Sequence, residues 1–166
     1  MRKFVSLAFV FLLFLGACQP SNDNDDQINN NDVILTIVSE NDEHTLTLSE
    51  IMNNYNKVEF QANVKSSGND PVLTDFGGVE LKEILTDLNI NLDNQNVVFK
   101  SEDGYQTMVS AEDVLMDDNV YVVFERNFER TTSADQGGSG PLEIVIAQDP
   151  FSQRWNKYLI EIEITP

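Results

Sequence analysis

The N-terminal residues limit where this chain can fold. Arg2 and Lys3 precede an apolar run from Phe4 to Leu15, and two small residues then lead to Cys18. A basic start, a short apolar run and small residues at its end are typical of a secretory signal peptide. The run is too short for a membrane-spanning helix, which needs about 20 apolar residues. We therefore expect residues 1–17 to be a signal peptide and the rest of the chain to fold after export.

Cys18 is the only cysteine of the chain, so a disulfide within the protein is impossible. The segment Leu15-Gly16-Ala17-Cys18 resembles the lipobox of bacterial lipoproteins. The resemblance implies cleavage before Cys18 and its lipidation by acyl chains such as palmitate, since stable attachment needs more than one chain. We expect an anchor on the extracytoplasmic face of the cell membrane or the outer membrane. An ordinary signal peptide cut after Ala17 is the alternative.

The chain is strongly acidic, with 10 Lys and Arg against 28 Asp and Glu and a formal net charge of −18. Loss of the signal peptide removes two basic residues and no acid, which leaves a formal charge of −20. Because nucleic acids are bound through cationic contacts to phosphate, this composition excludes them as partners. The stretch from Gln19 to Asp32 is too polar to pack into a core. We predict a flexible lipidated tether over residues 18–32 and one domain over residues 33–166.

Strand and helix patterns alternate through the domain. A brief helix capped by Ser49 is predicted from Glu50 onward, and a second helix from about Glu80 to Leu88. A third, short helix is predicted to begin at Ser110, which stands in capping-box order with Asp113. The segments 66–78 and 126–141 contain several glycines and are predicted as loops. This order predicts an α+β domain with mixed β-sheets and short helices. Alternating or β-branched patterns predict strands at 33–38, 45–48, 57–64, 96–100, 105–109, 120–125, 142–146 and 158–164.

A series of short motifs resembles one known family. In chain order the motifs are a glycine pair leading into a helix (77–81), an apolar strand (97–99), a turn (103–105), a second apolar strand (120–123), a glycine-rich loop with its strand (137–146) and a closing basic-aromatic strand (157–164). Their order and spacing resemble the molybdopterin-binding domain of sulfite-oxidase-type oxidoreductases over residues 33–165. The resemblance implies that family's fold and a cofactor cleft.

The resemblance also implies a cysteine that ligates molybdenum, on the segment that corresponds to residues 61–67. No cysteine is present there, and the hydroxyls of Ser66 and Ser67 are poor substitutes for a soft thiolate. An arginine of the family corresponds to Glu143, whose carboxylate would repel a cofactor phosphate. Lys157 remains as one matching cation. We therefore expect no cofactor, and molybdopterin is implied by the resemblance alone.

The same resemblance implies where a ligand would bind, because the segments around these motifs would converge on one cleft. Glycines at such places let a backbone approach a ligand closely, although tight turns explain them equally well. With Lys157 as its one cation, the cleft is expected to take a small neutral or cationic ligand or an envelope protein. The candidate ligand-binding residues are Asn63, Phe76, Gly77, Gly78, Tyr105, Gly138, Gly140 and Lys157, with Trp155 as a further apolar wall.

No catalytic or metal-ligating residue is predicted. His44 is the sole histidine, so neither a zinc set nor a nucleophile with an imidazole base can be assembled. These observations favour a non-catalytic domain that binds a ligand or a partner at the membrane surface. The alternatives are a molybdopterin-dependent oxidoreductase, or a subunit of one, and a purely structural envelope protein.

Overall fold

The structure is a computed structural model that describes residues 29–40, 42–65 and 68–166. The predicted signal peptide, Cys18 and most of the predicted tether lie outside the described residues, as do Ser66 and Ser67. Within the described ranges, no helix is long and apolar enough to cross a membrane.

The described residues form strands, three short α-helices and two turns of 3₁₀ helix. The helices are α1 (Leu48–Asn54), α2 (Leu81–Asp87) and α3 (Ala111–Leu115), and the 3₁₀ turns are Ala134–Gln136 and Ser152–Arg154. The strands are β1 (Val33–Val38), β2 (Glu43–Thr47), β3 (Val58–Val64), β4 (Val72–Glu80), β5 (Asn96–Ser101), β6 (Gln106–Ser110), β7 (Val120–Arg126), β8 (Glu129–Arg130), β9 (Glu143–Ile146) and β10 (Leu159–Thr165).

These strands form two five-stranded sheets. The first has the order β2-β1-β10-β5-β6, in which β1 and β10 are parallel and the other neighbours are antiparallel. The second is antiparallel with the order β3-β4-β7-β8, and β9 pairs with the other half of β7. Apolar side chains from both sheets and from the helices form one buried cluster, which includes Ile37, Phe99, Ile162, Phe124, Ile144 and Leu85.

Two of the predicted helix starts can be compared directly with the structure. Ser110 caps α3 in a capping box with Asp113, as predicted. The prediction that Ser49 caps the first helix is wrong, because Thr47 caps α1 in a capping box with Glu50. A start at Leu48 places that residue in the core. The backbone N–H of Ser49 instead donates to the Asn30 carbonyl at 2.9 Å, so the end of the predicted tether contacts the domain.

The two predicted loops contain strands. Residues 72–78 of the first belong to β4, a central strand that pairs with β3 on one side and β7 on the other. In the second, β8 extends a hairpin whose tight turn places Asn127 and Phe128 at φ of 52° and 66°. Two left-handed residues in succession suit the right-handed twist of a hairpin. The first prediction failed for residues 72–78, and the second missed β8 but holds for residues 131–141. Glycine and polar residues were taken as turn signals where strand pairing outweighs local preference.

Candidate functional site

A cavity of about 440 Å³ lies between the two sheets, at the place where one end of the first sheet meets one end of the second. The ends of β3, β5, β7 and β9, the β5–β6 turn and the segment before β10 all contribute to its wall. Its volume falls within the range of about 300 to 1,000 Å³ that is typical of small-molecule sites. The lining residues are Val64, Lys65, Ser101, Asp103, Tyr105, Arg126, Glu143, Ser152, Gln153, Trp155, Lys157 and Tyr158.

Glu143 is a buried acid in this wall. Its exposed fraction is 2%, and its Oε1 atom has no hydrogen-bond partner among the described residues. Burial raises the pKa of the Glu143 carboxyl, and the charge of Arg126, a hydrogen bond with Ser139 and the charge of Lys157 oppose that rise. The raised pKa favours the neutral carboxyl, which can donate a hydrogen bond. Glu143 is therefore a polar group of the cavity, and it repels an anion less than a free carboxylate would.

Three cationic side chains line the same cavity. The described residues contain eight Lys and Arg, of which four form ion pairs with carboxylates. No ion pair is formed in the described part of the chain by Lys65, Arg126, Arg130 or Lys157, and only Arg130 of these lies outside the cavity wall. Lys65 Nζ lies 4.4 Å from the Phe151 ring centroid, and the Arg126 guanidinium lies 5.3 Å from that of Phe76. A local group of unpaired cations is thus present in an acidic chain.

Aromatic residues give the cavity an apolar and well-supported wall. The Trp155 indole N–H donates to the Ile146 carbonyl at 3.1 Å, and its ring meets Phe76 edge-on with the ring centroids 5.6 Å apart. Tyr105 donates its hydroxyl hydrogen to the Gln153 carbonyl at 2.8 Å. These bonds connect the β5–β6 turn and strand β9 to the segment before β10, which carries Lys157.

Asn156 joins the two sheets beside the cavity. Its backbone exchanges hydrogen bonds with Ile144 of β9, at 2.7 and 3.2 Å. Its side chain accepts from the Ser101 hydroxyl at 2.7 Å and donates to the Phe99 carbonyl at 3.3 Å, both on β5. Asn156 is fully buried. Sequence reasoning missed this residue, because one asparagine in a loop gives no signal of such a role.

The structure brings together only part of the residue set predicted from the sequence. Tyr105, Lys157 and Trp155 line the cavity, and Phe76 packs directly behind Trp155. Asn63 is exposed on β3, outside the cavity wall. The binding roles of all these residues stay predictions.

The four predicted glycines lie outside the cavity wall. Gly77 and Gly78 are buried within β4. Gly138 and Gly140 pack against Thr132 and Thr131. The Gly138 carbonyl accepts a hydrogen bond from the Tyr158 hydroxyl at 3.1 Å, so this glycine supports a lining residue from behind.

The donor atoms of the cavity do not match the metal ligand that the resemblance implies. The chain's one cysteine is Cys18, before the domain, and the wall offers hydroxyl, amine, guanidinium, amide and carboxyl groups. Among the described residues, no three His, Cys, Asp or Glu side chains are grouped so that they could hold a metal ion. A soft thiolate for molybdenum is therefore missing from this wall, whereas its cations suit an anionic ligand.

Comparison with known proteins gives a family and a fold. The family model described as the oxidoreductase molybdopterin binding domain matches residues 24–166. The sulfane dehydrogenase SoxCD from Paracoccus pantotrophus has a similar structure, with a TM-score of 0.67 and 15% sequence identity, and the match covers 84% of this chain but 39% of that one. Among curated proteins the search found no match. The similarity confirms the predicted α+β fold, and the chain belongs to the oxidoreductase molybdopterin binding domain family.

Proposed function

We propose that this protein is a lipid-anchored, extracytoplasmic member of the family whose cleft binds a ligand without catalysing a redox reaction. The observation that carries the proposal is the composition of the cavity wall. It combines three cations that form no ion pair among the described residues with the buried Glu143, and it offers no thiolate. Such groups can bind and orient a molecule, but they do not include the soft ligand that molybdenum takes in the family.

A molybdopterin-dependent oxidoreductase, or a subunit of one, is the alternative. Family membership favours it, and so do the cations, because Lys and Arg bind phosphate groups well. The cation group also changes the expected ligand. The expectation of a neutral or cationic ligand rested on the missing cysteine and on Glu143 in place of a cation, with Lys157 as the one matching cation. Lys65 and Arg126 lie in the same wall and favour an anion.

Metal and pterin analysis distinguishes the two functions. The full chain should be expressed in a host that makes molybdopterin and purified in a mild detergent. We expect far less than one molybdenum and one pterin per chain, measured by elemental analysis and by the fluorescence of oxidised pterin. A molybdoenzyme produced in the same host controls for cofactor supply. Stoichiometric molybdenum in this protein would refute the non-catalytic function.

Replacing Cys18 by alanine tests the anchor. We expect the variant to lose fatty-acid labelling and to leave the membrane fraction, because no other thiol of the chain can be lipidated. Ser21→Ala changes a neighbouring position without removing the thiol and should remain lipidated. The measurement is metabolic labelling with a fatty acid, together with fractionation at high salt. A Cys18→Ala variant that stays with the membranes would contradict the anchor.

A further inference from the structure

We propose that the cleft binds a small organic carboxylate, with the carboxylate group facing Lys65, Arg126 and Lys157 and the rest of the molecule against Trp155 and Glu143. This inference rests on the proposed function, because a bound cofactor would compete for the same cavity. It names the chemical class of the ligand, which family membership does not provide.

The distribution of ion pairs indicates an anion. Outside this wall, four of the five described lysines and arginines are paired with the abundant acids, as Lys100 is with Glu161 and Glu163 at 2.6 and 2.9 Å, and Arg130 is the exception. In a chain with a formal charge of −18, three cations in one wall that form no ion pair among the described residues are unexpected. Asp103 and Glu143 are the two acids of this wall, so the three cations outnumber the acids there. A negatively charged ligand would pair with these cations.

The unpartnered oxygen of Glu143 supports a ligand site at this cavity. Buried polar atoms are almost always hydrogen-bonded, and an exception in a cavity wall calls for an explanation. Glu143 Oε1 is such an exception among the described residues, and it lies in the same wall as Arg126 and Lys157. A neutral Glu143 can donate to a polar atom of the ligand, and it leaves the surrounding positive charge uncancelled.

The size and the lining of the cavity favour an organic ligand over an inorganic ion. Its volume of about 440 Å³ greatly exceeds what one oxyanion occupies. Val64, Tyr105, Trp155 and Tyr158 provide apolar area that an organic group can cover. A single carboxylate also suits the protein better than a phosphate dianion, because the acidic chain repels each further negative charge.

Calorimetric titration of the full chain in non-ionic detergent, at low salt, tests the carboxylate assignment. The probes are hexanoate and benzoate, their uncharged amides, inorganic phosphate and inorganic sulfate. We expect saturable binding of at least one carboxylate, with affinity about tenfold or more above that of its amide, because the amide lacks the charge-assisted bonds. Phosphate and sulfate should bind more weakly than that carboxylate. Amides that bind as tightly, inorganic ions that bind more tightly, or no saturable carboxylate binding would overturn the proposal.

Variants test the placement of the ligand. Lys65→Gln and Lys157→Gln should each weaken carboxylate binding about tenfold. Arg130→Gln removes the unpaired cation outside the cavity and should leave the affinity within about twofold. Circular dichroism should show that each variant is folded. Equal losses in the cavity variants and in the Arg130 variant would indicate a general charge effect and overturn the placement.

The pH dependence of binding tests Glu143. The charges of Arg126 on β7 and Lys157 before β10 act on its carboxyl. The other charged or titratable groups of the same wall are Lys65, Asp103, Tyr105 and Tyr158. Affinity for the carboxylate should fall as pH rises through the raised pKa of Glu143, because the ionised group repels the ligand. Glu143→Gln should remove this fall, and Glu143→Leu should weaken binding at every pH. The same fall in the Gln variant would overturn the role of Glu143.

Failure of this inference can be distinguished from failure of the proposed function. Stoichiometric molybdenum in the purified protein refutes the proposed function and, with it, the carboxylate assignment. Metal-free protein that does not distinguish carboxylates from their amides refutes the carboxylate assignment alone.

Discussion

Gly78→Ala is expected to lower the free energy of unfolding by about 3 kcal/mol. A Cβ atom at Gly78 would lie 2.5 Å from the Val122 carbonyl oxygen and 2.8 Å from the Val123 Cα atom. Both are backbone atoms of β7. Because β4 is hydrogen-bonded to β3 and β7, it cannot move away without loss of strand pairing. Urea unfolding followed by circular dichroism measures the loss.

Gly77→Ala is the matched control, one residue away in the same strand. Its Cβ atom would lie 2.7 Å from Glu125 Oε2 and 2.9 Å from Lys57 Cε, which are ends of flexible side chains. The strand register shifts between Gly77 and Gly78, so the two glycines meet β7 differently. We expect a loss below about 1 kcal/mol for Gly77→Ala. Equal losses at the two positions would show that backbone contact with β7 is not the cause.

The two glycines also show where sequence patterns are ambiguous. A glycine pair is compatible with a tight turn, and equally with a strand that another backbone approaches closely. Only the position of β7 decides between a turn and a strand here, and the residues near the glycine pair do not specify that position. By contrast, β3 was predicted over residues 57–64 and found at Val58–Val64, because its alternation of exposed and buried residues is a local signal.

The parallel pairing of β1 with β10 is a further feature that the sequence patterns did not predict. The two strands come from opposite ends of the domain and pair at Thr36 with Glu161 and at Ile37 with Ile162. Each strand was predicted correctly from its own residues. Their pairing depends on the whole topology, which the family resemblance implies but which periodicity does not specify.

Only part of the candidate site was predicted, because some of its residues reach the cavity through the topology and not through a local motif. Tyr105 and Lys157 were found because they belong to motifs of the resemblance, whereas Lys65 and Arg126 carry no motif and reach the cavity through strand pairing. The net charge of the chain is a sum over the whole surface, so it gives no sign of a local group of cations. Glu143 was noted as an acid in the sequence, but its burial and its raised pKa depend on neighbours distant in sequence.

Asn156→Ala is expected to lower the free energy of unfolding by about 3 kcal/mol and to weaken carboxylate binding as well. The change removes one of two acceptors of the Ser101 hydroxyl, the other being the Lys157 carbonyl, and it removes a donor to the Phe99 carbonyl. Both groups lie in the buried contact between the sheets.

Because Asn156 directly precedes Lys157, a loosened contact would also let that cation move away from the cavity. Asn63→Ala, at an exposed position of β3, is the control and should change the free energy of unfolding by less than about 0.5 kcal/mol. Denaturant unfolding of both variants and carboxylate titration of the Asn156 variant measure the two effects. An Asn156 variant as stable as the Asn63 variant would show that the sheets and the cavity do not depend on this side chain.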